Sequence, residues 1–299
     1  LRKQLLQGWR HTLVLADGSC WEIVAEDEQA AALVSRLGRT MCLPMPAEAI
    51  ECQQYGVQRR IIVRGDAHTI PADSFTPLVS EDDDDLICTL RPCNNSDDLF
   101  INLVCLSLVI ARDIQARGGV LIHGALAERD GSGVLLAAPG GTGKTTASNR
   151  LPASWSSLCD DTTLVLPDPH GNYWAHPWPT WSRFLYGGNG GVWDVQRAVP
   201  LKVIFFLAQA DADRTERVGA GQAASSLMES AKQASLFMRH DLCQEKSRDL
   251  QLKCFNNLCA LARVIPAHVL HISLTGAFWK EIEQVIDVGD PSPTVPMTR

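Results

Sequence analysis

Residues Ala138 to Thr146, APGGTGKTT, have the composition and spacing of a phosphate-binding loop. In such a loop successive backbone N–H groups wrap a β-phosphate, and the following helix aims its N-terminal dipole at the same charge. Pro139, Gly140, Gly141, Thr142, Gly143, Lys144, Thr145 and Thr146 are therefore the candidate nucleotide-binding residues. The three glycines permit close backbone approach and unusual dihedrals. Lys144 would reach the β- and γ-phosphates, and the Thr145 hydroxyl would hold Mg²⁺. Ala138 stands where the pattern has its first glycine, which an ordinary strand-end conformation tolerates. An apolar run precedes the loop, and a helical run, KTTASNRL, follows it as far as Pro152. The cofactors implied are a nucleotide, taken as ATP with GTP left open, and Mg²⁺.

Three more candidates lie close by in the chain: His123 upstream, and Asp160 and Asp161 downstream. Adjacent residues on an extended segment point to opposite sides, so the two aspartates should not share one task. A turn or cap role is the competing reading of the pair. A satisfied structural histidine is the competing reading of His123. Tyr173 to Gly188, YWAHPWPTWSRFLYGG, is the most unusual composition in the chain. Rigid aromatics make contact area at small entropic cost, so His176, Trp178, Trp181 and Arg183 are candidates for an acceptor pocket. The alternative is an aromatic cluster that caps a sheet.

The elements that would position these groups can be read in outline. Residues 1–96 read as a small α+β region. TLVLADGSCWEIVAE is a hairpin about an Asp-Gly turn, and RRIIVRGD is a further strand. Between them lies a helix capped by Asp27 and stopped by Gly38. The acidic run Glu81 to Asp85 reads as a solvated loop. Residues 97–299 read as the nucleotide-binding domain. Its first element is a helix over Asp97–Arg117 closed by glycines. VLIHGALAE and GVLLAA then form a hairpin across a five-residue turn, so the strand that feeds the loop pairs antiparallel with its predecessor. The Asp pair opens the strand TTLVLP. VPLKVIFFLAQA and AHVLHISL are later strands, helices lie near Ala223–Arg239 and Ser247–Val264, and a last helix starts at Ala277. The whole describes an α/β fold with a mixed sheet and flanking helices. Residues 289–299 carry three prolines and read as a disordered tail.

The chain has 299 residues, 45% hydrophobic and 20% charged, with a net charge of −7, an ordinary globular balance with no general pull toward nucleic acid. The longest apolar run, Leu103 to Ala111, is too short to cross a bilayer, and the first residues lack the apolar core of a signal peptide. The ten cysteines include no C-x-x-C pair, which favours buried reduced thiols and a cytoplasmic location over a zinc site.

Taken in order, LIHGALAE, GVLLAAPGGTGKTT and LCDDTTLV resemble the HPr kinase/phosphorylase family, whose fold is shared with phosphoenolpyruvate carboxykinase. The resemblance covers about Gly118 to Asp287. AHPWPTWSRF and LTGAFWKEIE are also similar to the SynChlorMet cassette C proteins of a bacterial peptide-modification system, near kinases that accompany lasso peptides. The resemblance implies a phosphotransferase that moves the γ-phosphate of ATP to a serine-type hydroxyl of a ribosomal peptide or small protein. It implies Asp160 as the base and Asp161 as part of the metal shell, an assignment that could be reversed. It places His123 near the phosphates, and it leaves a homo-oligomer open. The first 96 residues and the motif for the reverse phosphorylase reaction do not match. A kinase for a small molecule and a non-catalytic nucleotide-binding accessory protein are the alternatives.

Overall fold

A computed structural model describes residues 9–45, 59–65, 78–82, 85–91, 93, 95–138, 142–188, 190–235 and 243–289. The N-terminal hairpin joins β1 (Arg10–Val14) to β2 (Cys20–Ala25), with Val14 opposite Cys20. Helix α1 (Glu28–Met41) follows, and the Asp27 side chain caps it by accepting from the Ala30 N–H. Gly38 does not stop this helix. A Cβ at that position would fall inside the His11 ring, so the glycine serves close packing. The helix ends instead at Cys42, which takes the left-handed conformation. Strands β3 (Arg59–Gly65), β4 (Leu78–Asp82) and β5 (Asp85–Leu90) complete a five-stranded sheet of order β1-β2-β3-β5-β4. The acidic run thus ends in two antiparallel strands rather than forming one loop; Asp83 and Asp84 lie outside the described residues.

Helix α2 (Ser96–Ala116) is capped by Asn95, which accepts from the Asp97 and Asp98 N–H groups. Among the described residues it alone is long and apolar enough to cross a membrane, and two thirds of that apolar window (67%) is buried inside the protein. After it, β6 (Val120–Arg129) and β7 (Ser132–Ala137) pair antiparallel. Their turn is two residues, not five. Asp130 and Gly131 both have positive φ, 51° and 77°, the backbone whose twist matches that of the flanking strands.

Helix α3 (Lys144–Arg150) leads into β8 (Ser156–Cys159), β9 (Thr162–Pro167) and β10 (Tyr173–Trp178). A 3₁₀ helix spans Trp181–Gly187. The remaining elements are β11 (Val199–Gln209), β12 (Arg214–Val218), α4 (Ala220–Ala234), α5 (Gln244–Val264), β13 (Ala267–Ile272) and α6 (Trp279–Gly289). Residues 290–299, including nearly all of the proline-rich tail, lie outside the described residues. The second sheet has eight strands in the order β10-β9-β6-β7-β11-β13-β12, with β8 against β6. It is mixed: β7, β11 and β13 run parallel, and the others are antiparallel to their neighbours.

Strand alternation divides the apolar residues between the two faces of this sheet. Val134 and Leu136 of β7, Val203, Phe205 and Leu207 of β11 and Leu270 of β13 pack with Ala147 of α3 and Ile282 of α6. Leu135, Ile204 and Ile122 belong to the opposite face, with Leu106 and Ile110 of α2, Leu227 of α4 and Leu258 of α5. That second core continues into Leu13, Trp21, Leu37 and Ile61, so the two sheets share one apolar interior. Burying each such large side chain contributes about 1.5–3 kcal/mol.

Candidate functional site

Two registers bring the chemistry-bearing residues together. On β6, Gly124 pairs with Ala137 of β7, while His123 pairs with Thr162 of β9. His123 therefore stands where the strand leading to the phosphate loop ends and the strand after the aspartates begins. Its Nε2 lies 2.9 Å from Lys144 Nζ, and its Nδ1 lies 3.3 Å from Asp161 Oδ1. An ammonium can only donate, so Nε2 accepts from Lys144 and the ring proton sits on Nδ1, facing Asp161. Burial above all lowers the His123 pKa; Lys144 lowers it further, and the Asp161 charge works the other way. The neutral ring is the form this geometry uses.

Lys144 is buried and also donates to the Ala138 carbonyl at 2.8 Å. Burial lowers its pKa, and Asp161 opposes that shift. Gly143 caps α3 with φ 103° and ψ 24°, a conformation that favours glycine. Thr145 and Thr146 are exposed in the first turn of that helix, and Thr142 is half-buried. Pro139, Gly140 and Gly141, which sequence reading assigned to the phosphate cradle, lie outside the described residues. Asp161 is one-third exposed. Its carboxylate and the Thr145 hydroxyl are hard oxygen donors of the kind Mg²⁺ takes, so these residues fit that ion chemically. Among the described residues no cluster of three or more His, Cys, Asp or Glu forms a complete cage for a metal.

The two aspartates do face different partners. Asp160 accepts from Arg183 Nη2 at 2.6 Å and from Thr180 Oγ1 at 3.2 Å. The Arg183 guanidinium lies 5.8 Å from the Trp193 ring centroid and is half exposed. Between β8 and β9, the pair forms a bend bridged by Cys159, whose Sγ donates to the Thr162 carbonyl at 3.0 Å. Full burial pushes the Cys159 thiol up to about 11, which keeps it a donor. Thr163 Oγ1 ties the next residue to the Gly124 carbonyl at 2.8 Å. Cys159, Thr180 and Thr163 position the site, and sequence reading did not single them out. The apolar-Cys-Asp-Asp-Thr-Thr order was the signal available for two of them.

The aromatic segment is not an open loop. His176 and Trp178 are on β10 and fully buried, and Trp181 is buried at the start of the 3₁₀ helix. His176 Nδ1 donates to the Val195 carbonyl at 2.7 Å, and its Nε2 accepts from the Ala16 N–H at 3.3 Å. It is a structural histidine linking the N-terminal hairpin to the core, and burial brings its pKa down to about 4. His176 and Trp178 are thus withdrawn from the acceptor pocket that composition suggested. Arg183 is exposed beside Asp160.

The family model described as SynChlorMet cassette protein ScmC matches residues 86–287 of this chain. No curated protein matches it. Among solved structures, the Hpr(Ser) kinase/phosphatase from Coxiella burnetii aligns with 13% identity and a TM-score of 0.30, over 56% of this chain and 88% of that one. Neither fold nor function transfers across a likeness so low.

Proposed function

The chain belongs to the SynChlorMet cassette protein ScmC family, matched over well over half its length, and on that premise we propose that it is an ATP-dependent phosphotransferase acting within a peptide-modification cassette. The acceptor is a serine-type hydroxyl on a ribosomal peptide or small protein, and the reaction takes place in the cytoplasm. The observation that carries this reading is the contiguous set Lys144–His123–Asp161 at the end of the strand that feeds a phosphate-loop sequence. A buried lysine joined through a neutral histidine to a carboxylate places cationic charge, a polarisable ring and an oxygen ligand side by side.

In the proposed reaction Lys144 leaves His123 and the Ala138 carbonyl to bind the β- and γ-phosphates. Thr145 and Asp161 would hold Mg²⁺, which would supply charge to offset the phosphates. The acceptor oxygen forms a bond to the γ-phosphorus as the bond to the β,γ-bridging oxygen breaks and ADP departs. The hydroxyl proton passes to Asp160. Arg183 turns from that carboxylate toward the phosphoryl group, where its charge stabilises the in-line transition state. His123 keeps Asp161 oriented through its Nδ1–H. The catalytic core is then a kinase of the HPr kinase type on this chain's own mixed sheet.

The test is ADP release by the full chain with Mg-ATP and the peptide of the same cassette. Peptide-dependent ADP release is expected, lost in Lys144→Ala and reduced by at least about a hundredfold in Asp160→Asn. Peptide-dependent turnover that survives both substitutions would overturn the reading.

A further inference from the structure

The three parallel strands β7, β11 and β13 end on the same edge of the sheet, since Ala137 pairs with Phe206 and Gln209 with Ile272. Outside those carboxyl ends, where open α/β sheets place their ligands, lies an open cleft of about 1090 Å³, its solvent-facing side included. Thr142, Gly143 and Thr146 form its phosphate-loop wall, and Gln209, Asp211 and Leu274 line the far side. The cleft is thus continuous with the candidate phosphate site and extends away from His123.

Its outer wall presents an apolar side chain to water on a braced loop. Leu274 is 92% exposed, the extreme among the large apolar residues described. The loop that carries it is fixed from three directions. Arg150 donates to the Ser273 carbonyl at 2.8 Å and to the Gly276 carbonyl at 2.6 Å, and its guanidinium lies 5.2 Å from the Phe278 ring centroid. Asp213 accepts from the Ser273 N–H at 2.7 Å, and Ser273 Oγ accepts from the Gly276 N–H at 2.9 Å. An exposed leucine on a tethered loop, beside a phosphate loop, is a ready surface for a flat apolar ring.

We propose that this cleft seats the nucleoside half of the nucleotide, with the base lying against Leu274 and Ile272 and the ribose hydroxyls donating to the Asp211 carboxylate. The proposal rests on the nucleotide-binding reading above and adds to it a site separate from the phosphates. Arg150 donates from both terminal nitrogens to the loop carbonyls and so holds the shelf in place.

Titration calorimetry of the full chain with Mg-ATP and with Mg-tripolyphosphate separates the two halves. Wild type should bind Mg-ATP more tightly than tripolyphosphate. Leu274→Asn should weaken Mg-ATP about tenfold and leave tripolyphosphate unchanged, since apolar contact with the base is lost and no charge is added. Lys144→Ala should weaken both. Should Leu274→Asn fail to fold by circular dichroism, Leu274→Ala makes the same comparison with a smaller change. Unaltered Mg-ATP affinity in the leucine variants, with both ligands lost in Lys144→Ala, would overturn the nucleoside seat and leave the phosphate-loop reading standing. Equal weakening of both ligands by Leu274→Asn would also overturn it. Binding of neither ligand by wild type would overturn both readings.

Discussion

His176 ties the N-terminal hairpin to the second sheet and the segment that follows the 3₁₀ helix, and its burial makes that tie sensitive to acid. The ring is held neutral, with Nδ1–H donated to Val195 and Nε2 accepting from Ala16. Its pKa falls from 6.5 to about 4 for want of solvation. A histidine with a depressed folded pKa contributes stability that is fully present above its unfolded value. That contribution is lost progressively as pH falls from 6.5 toward 4, because the unfolded chain binds the proton first. A tenfold difference in proton affinity between the folded and unfolded chain is worth about 1.4 kcal/mol, so lowering the pH from about 7.5 to about 5 should remove about 2 kcal/mol through this ring. The assay is urea unfolding of wild type and His176→Gln at both pH values. The variant is less stable at neutral pH, but its loss on acidification should be smaller than that of wild type by about 2 kcal/mol, because the ring's share is gone. Equal acid sensitivity in the two proteins would refute the reasoning, since other titrating groups are common to both.

Three further outcomes are expected. Cys159→Ala should lower kcat several-fold without changing KM for ATP, because the bend carrying both aspartates loses its thiol bridge; Cys159→Ser should restore most of the rate, and steady-state kinetics checks both. Asp161→Asn should raise the Mg²⁺ concentration for half-maximal transfer by about tenfold or more, whereas Asp160→Asn should lower kcat at an unchanged Mg²⁺ requirement, as a magnesium titration of initial rates would show. Gly38→Ala should destabilise the fold by about 1–3 kcal/mol in urea unfolding, because the new methyl group displaces the His11 ring from its contact with the Leu43 carbonyl.

Local chemistry made much of the fold legible in the sequence. A turn or a cap has few solutions, and the Asp17-Gly18 hairpin and the Asp27 cap stand where the pattern puts them. Gly38 misled because its role is set by His11, a neighbour distant in the chain. The turn before β7 looked longer because Ser132 and Gly133 read as turn residues, yet the sheet recruits both. In the site, Asp160 and Asp161 face different partners as expected, but they do so from the bend between β8 and β9 and not from an extended strand. The partners could not be foreseen. Arg183, Thr180 and Cys159 reach the pair only through the β8–β9 bend and the 3₁₀ helix, which no spacing announces. The same holds for His176. Aromatic and proline-rich composition suits a binding surface and a buried strand equally well, and only tertiary packing separates the two.

The central claim is phosphoryl transfer to a peptide hydroxyl, and intact-mass spectrometry tests it most directly. The peptide of the same cassette would be incubated with Mg-ATP and the full chain, with Lys144→Ala in parallel. One added phosphate is expected, located by fragmentation on a serine-type hydroxyl and absent with the variant. An unchanged peptide mass, from a protein shown to bind Mg-ATP, would contradict the claim.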